Sequence, residues 1–171
     1  KKKLPKQFLD VLGVGETLIQ QTYRRLLLIC PKENIFVVTN EDYFSLCKAQ
    51  IPKLQDNQIL CEPVMRNTAP CIAYAAFKIH TLNDQANLIV APSDHLITND
   101  IEYVRIVNEI FETIQEKDYL ITLGIQASRP DTGYGYIQYD DSLNLEENHN
   151  IKKFKTFTEK PNRDLALQFL D

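Results

Sequence analysis

Short apolar runs rich in branched side chains alternate along the chain with longer stretches whose apolar residues recur at helical spacing. Asn34–Val38 (NIFVV), Gln58–Cys61 (QILC), Asn87–Val90 (NLIV) and Tyr119–Leu123 (YLITL) are the short runs, with the pattern of strands covered on both faces. Between them, Thr17–Leu28 opens with Thr17-x-x-Gln20, a capping-box pattern, and Thr68–Leu82 opens with Thr68 as a candidate cap. Asp100–Glu116 repeats the helical pattern after Thr98 and Asn99. The strand starts at 34, 58, 87 and 119 are 24, 29 and 32 residues apart, which leaves room for one crossover helix each. This predicts a β-α-β-α series around a parallel sheet.

After Leu123 the rhythm changes. Tyr134–Tyr139 (YGYIQY) and Ile151–Thr158 (IKKFKTFT) read as antiparallel or mixed strands attached to that sheet, and the acidic, aperiodic Asp140–Asn150 between them reads as a solvated hairpin loop. There is no repeat and no linker. The chain enters a helix almost at once and leaves in a helical pattern at Asn162–Leu170, so both ends look abrupt. A fragment of a larger domain is the expectation.

Composition changes this picture little. With 171 residues, 44% hydrophobic and 25% charged, the chain is an ordinary globular domain, long enough to fold without a metal or disulfide staple. No apolar run reaches the length of a membrane span, and Lys1–Lys3 leads into no signal-peptide core, so a cytoplasmic protein is expected. A net charge of −4 argues against sequence-independent nucleic-acid binding. It leaves room for a small polyanion held by a local basic cluster. Cys30, Cys47, Cys61 and Cys71 form no C-x-x-C pair and have no histidine at ligand spacing, and are expected to be reduced structural thiols.

In open α/β sheets ligands bind beyond the carboxyl ends of the strands. The residues there are Glu62–Pro70 (EPVMRNTAP), leading into a helix N-terminus; Ala91–His95 (APSDH); Arg129–Tyr136 (RPDTGYGY); and Thr158–Pro161 (TEKP). Asp94 could hold Mg²⁺ or cap a helix, and His95 could position a phosphate or make a local structural bond. Lys6 is one of four lysines in a basic start and could simply be solvated. Arg66 and Asn67 can read a base edge and Glu62 can accept from a ring N–H, whereas Thr68 fits a helix cap equally well. Gly133 and Gly135 suit a turn or bulge, or close approach of backbone to a ligand. Strand alternation would send either Glu159 or Lys160 inward, where a charge is costly unless paired or liganded.

These strings, with Pro5–Leu9 (PKQFL), Thr132–Ile137 (TGYGYI) and Phe157–Pro161 (FTEKP), resemble in order the mannose-1-phosphate guanylyltransferase family of sugar-nucleotide pyrophosphorylases over nearly the whole chain. The resemblance implies a Rossmann-like α/β fold of the nucleotide-diphospho-sugar transferase (GT-A-like) type, with a mixed, mainly parallel sheet flanked by helices. It implies that residues 1–171 are a partial catalytic domain, since the family's G-G-x-G-x-R loop precedes the P-K-Q-F segment and its W-N-S-G sugar contact lies further on. The implied reaction joins GTP and mannose 1-phosphate into GDP-mannose and pyrophosphate, with Mg²⁺ at Asp94. By the same resemblance Lys6, Asp94 and Lys160 are catalytic, Glu62, Arg66, Asn67 and Thr68 bind the nucleotide, and Tyr134, Gly135, Glu159 and Lys160 bind the sugar phosphate. A homo-oligomer is compatible with it.

Three other readings keep a place. One is the guanylyltransferase half of a bifunctional mannose-6-phosphate isomerase/guanylyltransferase. Another is a non-catalytic regulatory subunit that binds a sugar nucleotide. The third, a dinucleotide-binding oxidoreductase, is disfavoured because no G-x-G-x-x-G follows any strand.

Overall fold

The computed structural model describes residues 4–115, 117–144 and 151–170, which pack as two compact units, Lys1–Tyr119 and Leu120–Asp171. The expected tail Lys1–Lys3 lies outside the described residues, as does most of the expected loop, 145–150.

The first unit is built around one β-α-β crossover. Strand β1 (Val37–Thr39) and strand β2 (Ile59–Cys61) pair in parallel, Val37 opposite Ile59 and Thr39 opposite Cys61, and helix α2 (Glu41–Gln50) runs between them. Both strands start later than the apolar runs suggest. Short 3₁₀ turns, Lys32–Asn34 and Asp56–Gln58, take the first residues, and the buried Gln58 amide ties them together by donating to the carbonyls of Lys32 (2.7 Å) and Ile35 (2.8 Å).

Helix α1 (Leu18–Leu26) starts where Thr17-x-x-Gln20 predicts. Gln20 Oε1 accepts from the Thr17 N–H at 2.9 Å. The Thr17 hydroxyl bonds Gln50 Oε1 (2.7 Å) and Gln20 Nε2 donates to the Gln50 carbonyl (2.9 Å), so the start of α1 is fastened to the end of α2. Phe8, Ile19, Tyr23, Ile35, Cys47, Ile51, Leu54 and Ile59 form the core beneath these elements. Complete burial of an aliphatic side chain such as Leu54 contributes roughly 1.5–3 kcal/mol. All four cysteines are free thiols.

Helix α3 (Thr68–His80) and helix α4 (Asp100–Ile114) match their patterns, with one correction: Asn67, not Thr68, precedes the first turn of α3. Pro70 sits in that first turn, where its missing N–H has no helical partner to lose. Asn99 caps α4 by accepting from the Glu102 N–H at 3.1 Å. The guanidinium of Arg25, with a side chain only 3% exposed, donates to Asp100 Oδ1 at 2.8 Å and lies over the Tyr103 ring; Arg24 reaches Asp100 Oδ2, also at 2.8 Å. Burial raises the Asp100 pKa, but the two guanidiniums outweigh it and leave the carboxyl below its ordinary value.

The expected strands at 87–90 and 119–123 are absent: both segments carry no strand pairing, and Val90 and Leu120 are exposed. An apolar run records readiness for burial, whereas a strand also needs a neighbour whose N–H and C=O groups complete the ladder.

In the second unit, strand β3 (Tyr136–Asn144) pairs antiparallel with strand β4 (Lys152–Thr158), the register shifting after Gln138 and again beyond Asp140. The two form a sheet of their own, and β3 continues to Asn144, five residues into the expected loop. Helix α5 (Arg163–Gln168) follows, capped by Asn162, whose Oδ1 accepts from the Leu165 N–H at 2.9 Å. Among the described residues no helix is long and apolar enough to cross a membrane.

Candidate active site

In the first unit, the carboxyl ends of β1 and β2 open onto a groove of about 550 Å³ lined by Asn40, Glu62, Met65 and Tyr74 among others. Glu62 is placed there because its N–H donates to the Thr39 carbonyl at 2.8 Å, extending the parallel ladder by one residue. Burial and the neighbouring Glu62 carboxylate together push the Cys71 thiol above the usual thiol pKa.

Asn40 is a member of this groove that the sequence reading missed. It is the first residue after β1, so the strand-end rule could have found it. Its Nδ2 donates to Met65 Sδ at 3.3 Å, while its buried Oδ1 has no partner.

Arg66, Asn67 and Thr68 do not line the groove; they stand exposed at the start of α3. Asn67 has φ 68° and ψ −167°, a conformation suited to glycine and costing another residue about 1–3 kcal/mol.

Lys6 lies in a 3₁₀ turn, Lys6–Phe8, anchored by the buried Phe8. The Phe8 ring packs on Tyr43 at 5.6 Å and its carbonyl accepts from Gln50 Nε2 at 3.2 Å, which leaves the Lys6 ammonium exposed on a fixed backbone.

Asp94 occupies a turn, its carboxylate 48% exposed and facing His95 Nε2 at 4.0 Å. The helix-cap alternative is gone, because α4 begins six residues later under Asn99.

In the second unit, the pairing of Tyr136 with Thr158 sets Gly135 beside the residues that follow β4. A Cβ at Gly135 would collide with the Phe157 ring and come within 3.1 Å of Glu159 Oε2. A side chain at 135 would have to displace the half-exposed Phe157 ring, so the close approach favours glycine. Lys160 Nζ lies 3.3 Å from Glu159 Oε1, with the side chains 64% and 59% exposed. The inward charge expected from strand alternation does not occur, since β4 ends at Thr158 and the two charges pair with one another at the surface. Lys160 has φ 42°, so it shares with Asn67 a positive φ outside glycine. Tyr134 is 65% exposed at the tip of the same turn.

The side chains thus divide. Glu62 with Asn40 and Met65 forms one grouping in the first unit, and Gly135, Glu159 and Lys160 form another in the second. Among the described residues no three His, Cys, Asp or Glu side chains cluster closely enough to cage a metal ion.

Comparison with known proteins agrees across the chain. A protein named alginate biosynthesis protein AlgA from Pseudomonas aeruginosa is 35% identical over 99% of this chain and 35% of its own length. One named mannose-1-phosphate guanylyltransferase from Klebsiella pneumoniae is 35% identical over 97% of this chain and 35% of its own length. The chain therefore spans about a third of these curated relatives. A crystal structure from Thermus thermophilus, described as a mannose-1-phosphate geranyltransferase, superposes with a TM-score of 0.81 at 28% identity, covering 99% of this chain and 48% of that one. The α/β nucleotide-sugar transferase fold expected from the resemblance is the fold observed. The Nucleotidyl transferase profile matches residues 1–170, and with it the chain belongs to the Nucleotidyl transferase family.

Proposed function

We propose that the protein carrying this chain transfers GMP from GTP to mannose 1-phosphate, releasing GDP-mannose and pyrophosphate. The observation that carries this reading is the meeting of Gly135, Glu159 and Lys160 at one end of the β3–β4 hairpin. A bare backbone, a carboxylate for hydroxyls and an ammonium for a phosphate are the parts that a hexose 1-phosphate requires. The names of the relatives point to the same substrate.

Chemically, an oxygen of the sugar phosphate attacks the α-phosphorus of GTP in line. A new P–O bond forms while the bond to the β-phosphate oxygen breaks, and pyrophosphate departs with that electron pair. No protein nucleophile is needed. The difficulty is the approach of two anions, and Lys6 and Lys160 relieve it by charge neutralisation. Fixed placement of both reactants removes up to about 7–11 kcal/mol of entropic barrier in well-oriented systems.

Asp94 fits a magnesium ion as the single carboxylate of a site completed by substrate phosphates and water, because its oxygens are half-exposed and hard. The ion when bound supplies further neutralisation of the phosphate charge. Glu62 receives the N–H edge of guanine in the groove beside Asn40 and Met65, Arg66, Asn67 and Thr68 contact the nucleotide from the start of α3, and Tyr134 with Gly135 flanks the hexose. Residues 1–171 are part of a catalytic domain, in the cytoplasm.

Pyrophosphate release with mannose 1-phosphate and GTP, UTP, dTTP or ATP tests the reading. GTP should give the highest kcat/KM by at least about tenfold. Equal turnover with UTP or dTTP would remove the guanine assignment.

A further inference from the structure

The turn between Arg129 and Tyr136 is held more firmly than an exposed loop requires. The Asp131 carboxylate accepts from the Gly133 N–H through Oδ1 at 2.9 Å, and from Arg129 Nη2 (2.9 Å) and Nε (3.2 Å) through Oδ2. The Asp131 main-chain carbonyl accepts from the Tyr136 hydroxyl at 3.0 Å. The Tyr136 ring in turn packs on Phe169, just past α5, with centroids 5.2 Å apart. One residue therefore bonds both within the turn and to the first residue of β3.

At its far end the turn is fixed again by the close approach of Gly135 to Phe157 and Glu159. Tyr134 stands exposed between the two fixed points. Little apolar area is buried at Asp131, whose salt-bridge partner Arg129 is itself mostly exposed. What the bonds supply is shape. Arg129 also cancels the Asp131 charge, which would otherwise repel an approaching phosphate.

We propose that Asp131 is a positioning residue for hexose recognition, holding Thr132–Gly135 in the form that presents Tyr134 and the Gly135 backbone to the sugar. The role rests on the function proposed above and extends it to a residue that does not touch the substrate. Preorganisation of this kind appears in the affinity for one reactant only, because the ordering cost of the loop is otherwise met at binding.

The test is steady-state kinetics of the full-length protein with Asp131→Ala, Asp131→Asn and Tyr136→Phe, varying GTP and the sugar phosphate separately. Asp131→Ala should raise the KM for the hexose 1-phosphate about tenfold while the KM for GTP stays within about twofold. Asp131→Asn keeps an oxygen for the Gly133 N–H and should recover most of the loss. Tyr136→Phe removes one hydroxyl yet keeps the ring on Phe169; it should raise the same KM about two- to fivefold, and it serves if Asp131→Ala does not fold.

A melting temperature that falls with both KM values unchanged would overturn the proposal, as would an equal rise in both. Wild-type turnover of mannose 1-phosphate with GTP reads the underlying function separately. The ratio of variant to wild-type KM reads Asp131 on whichever hexose 1-phosphate the wild type accepts.

Discussion

The groove at Glu62 and the turn at Gly135, the two candidate sites, are shaped by opposite means. In the first unit the site residues hang from buried structure: Glu62 extends a parallel ladder, and Lys6 sits one turn from Phe8 in the core. In the second, polar bonds and a glycine close approach set the shape, and among the described residues of that unit only Pro161 and Ala166 are buried. Burial is cooperative and tolerates surface change, whereas a turn held by a few hydrogen bonds responds to each of them. Substitutions in the buried structure beneath the first site should register as stability, those in the turn of the second as substrate affinity.

The largest effect expected from this contrast is at Asp100. Asp100→Ala leaves the Arg25 guanidinium buried without its carboxylate, a change that costs about 3–5 kcal/mol for fully buried pairs and less here because Asp100 is partly exposed. Urea denaturation should show a lower midpoint with an unchanged slope. The folded-state pKa of Asp100 lies below its ordinary value, so its contribution is complete above the unfolded value near 3.8 and is lost as pH falls through the folded one. Asp100→Asn should flatten that acid limb. An unchanged midpoint in Asp100→Ala would break the claim that burial governs the first unit.

Asp94→Asn follows in size. It should lower kcat by at least about a hundredfold at saturating Mg²⁺ with the melting temperature nearly unchanged, since Asp94 caps no helix and lies half-exposed. Turnover near that of the wild type would remove the metal role.

At the second site, Lys160→Ala should raise the KM for mannose 1-phosphate about ten- to a hundredfold and leave the KM for GTP nearly intact, the loss of one charge-assisted bond. Glu159→Gln should instead weaken discrimination among hexose 1-phosphates. Equal weakening of GTP and sugar phosphate in Lys160→Ala would return the lysine to the triphosphate or to the fold.

The smallest and sharpest test is Asn67→Gly. Relief of the φ 68° backbone should stabilise the protein by about 1 kcal/mol, while the KM for GTP rises several-fold if the side chain reads the nucleotide. A gain in stability with GTP affinity unaltered would assign Asn67 to helix geometry alone.

Much of this was legible in the residues themselves, for a local reason. The reach-back from Gln20 to Thr17, the cap at Asn99 and the start of α3 near Thr68 are settled within a few residues, so the sequence determines them. Motif order did the same for the family, and for Glu62, Asp94, Gly135 and Lys160 as candidates.

Tertiary structure alone decided the rest. Asn40 joins Glu62 only because β1 and β2 pair in parallel register, bringing residues 22 positions apart to one sheet end. Gly135 comes against Phe157, and Arg25 is bearable in the interior because of Asp100, each partner far along the chain. The segments at 87–90 and 119–123 carry strand composition without strand pairing, since composition expresses a side chain's preference for burial and pairing depends on which backbone lies alongside.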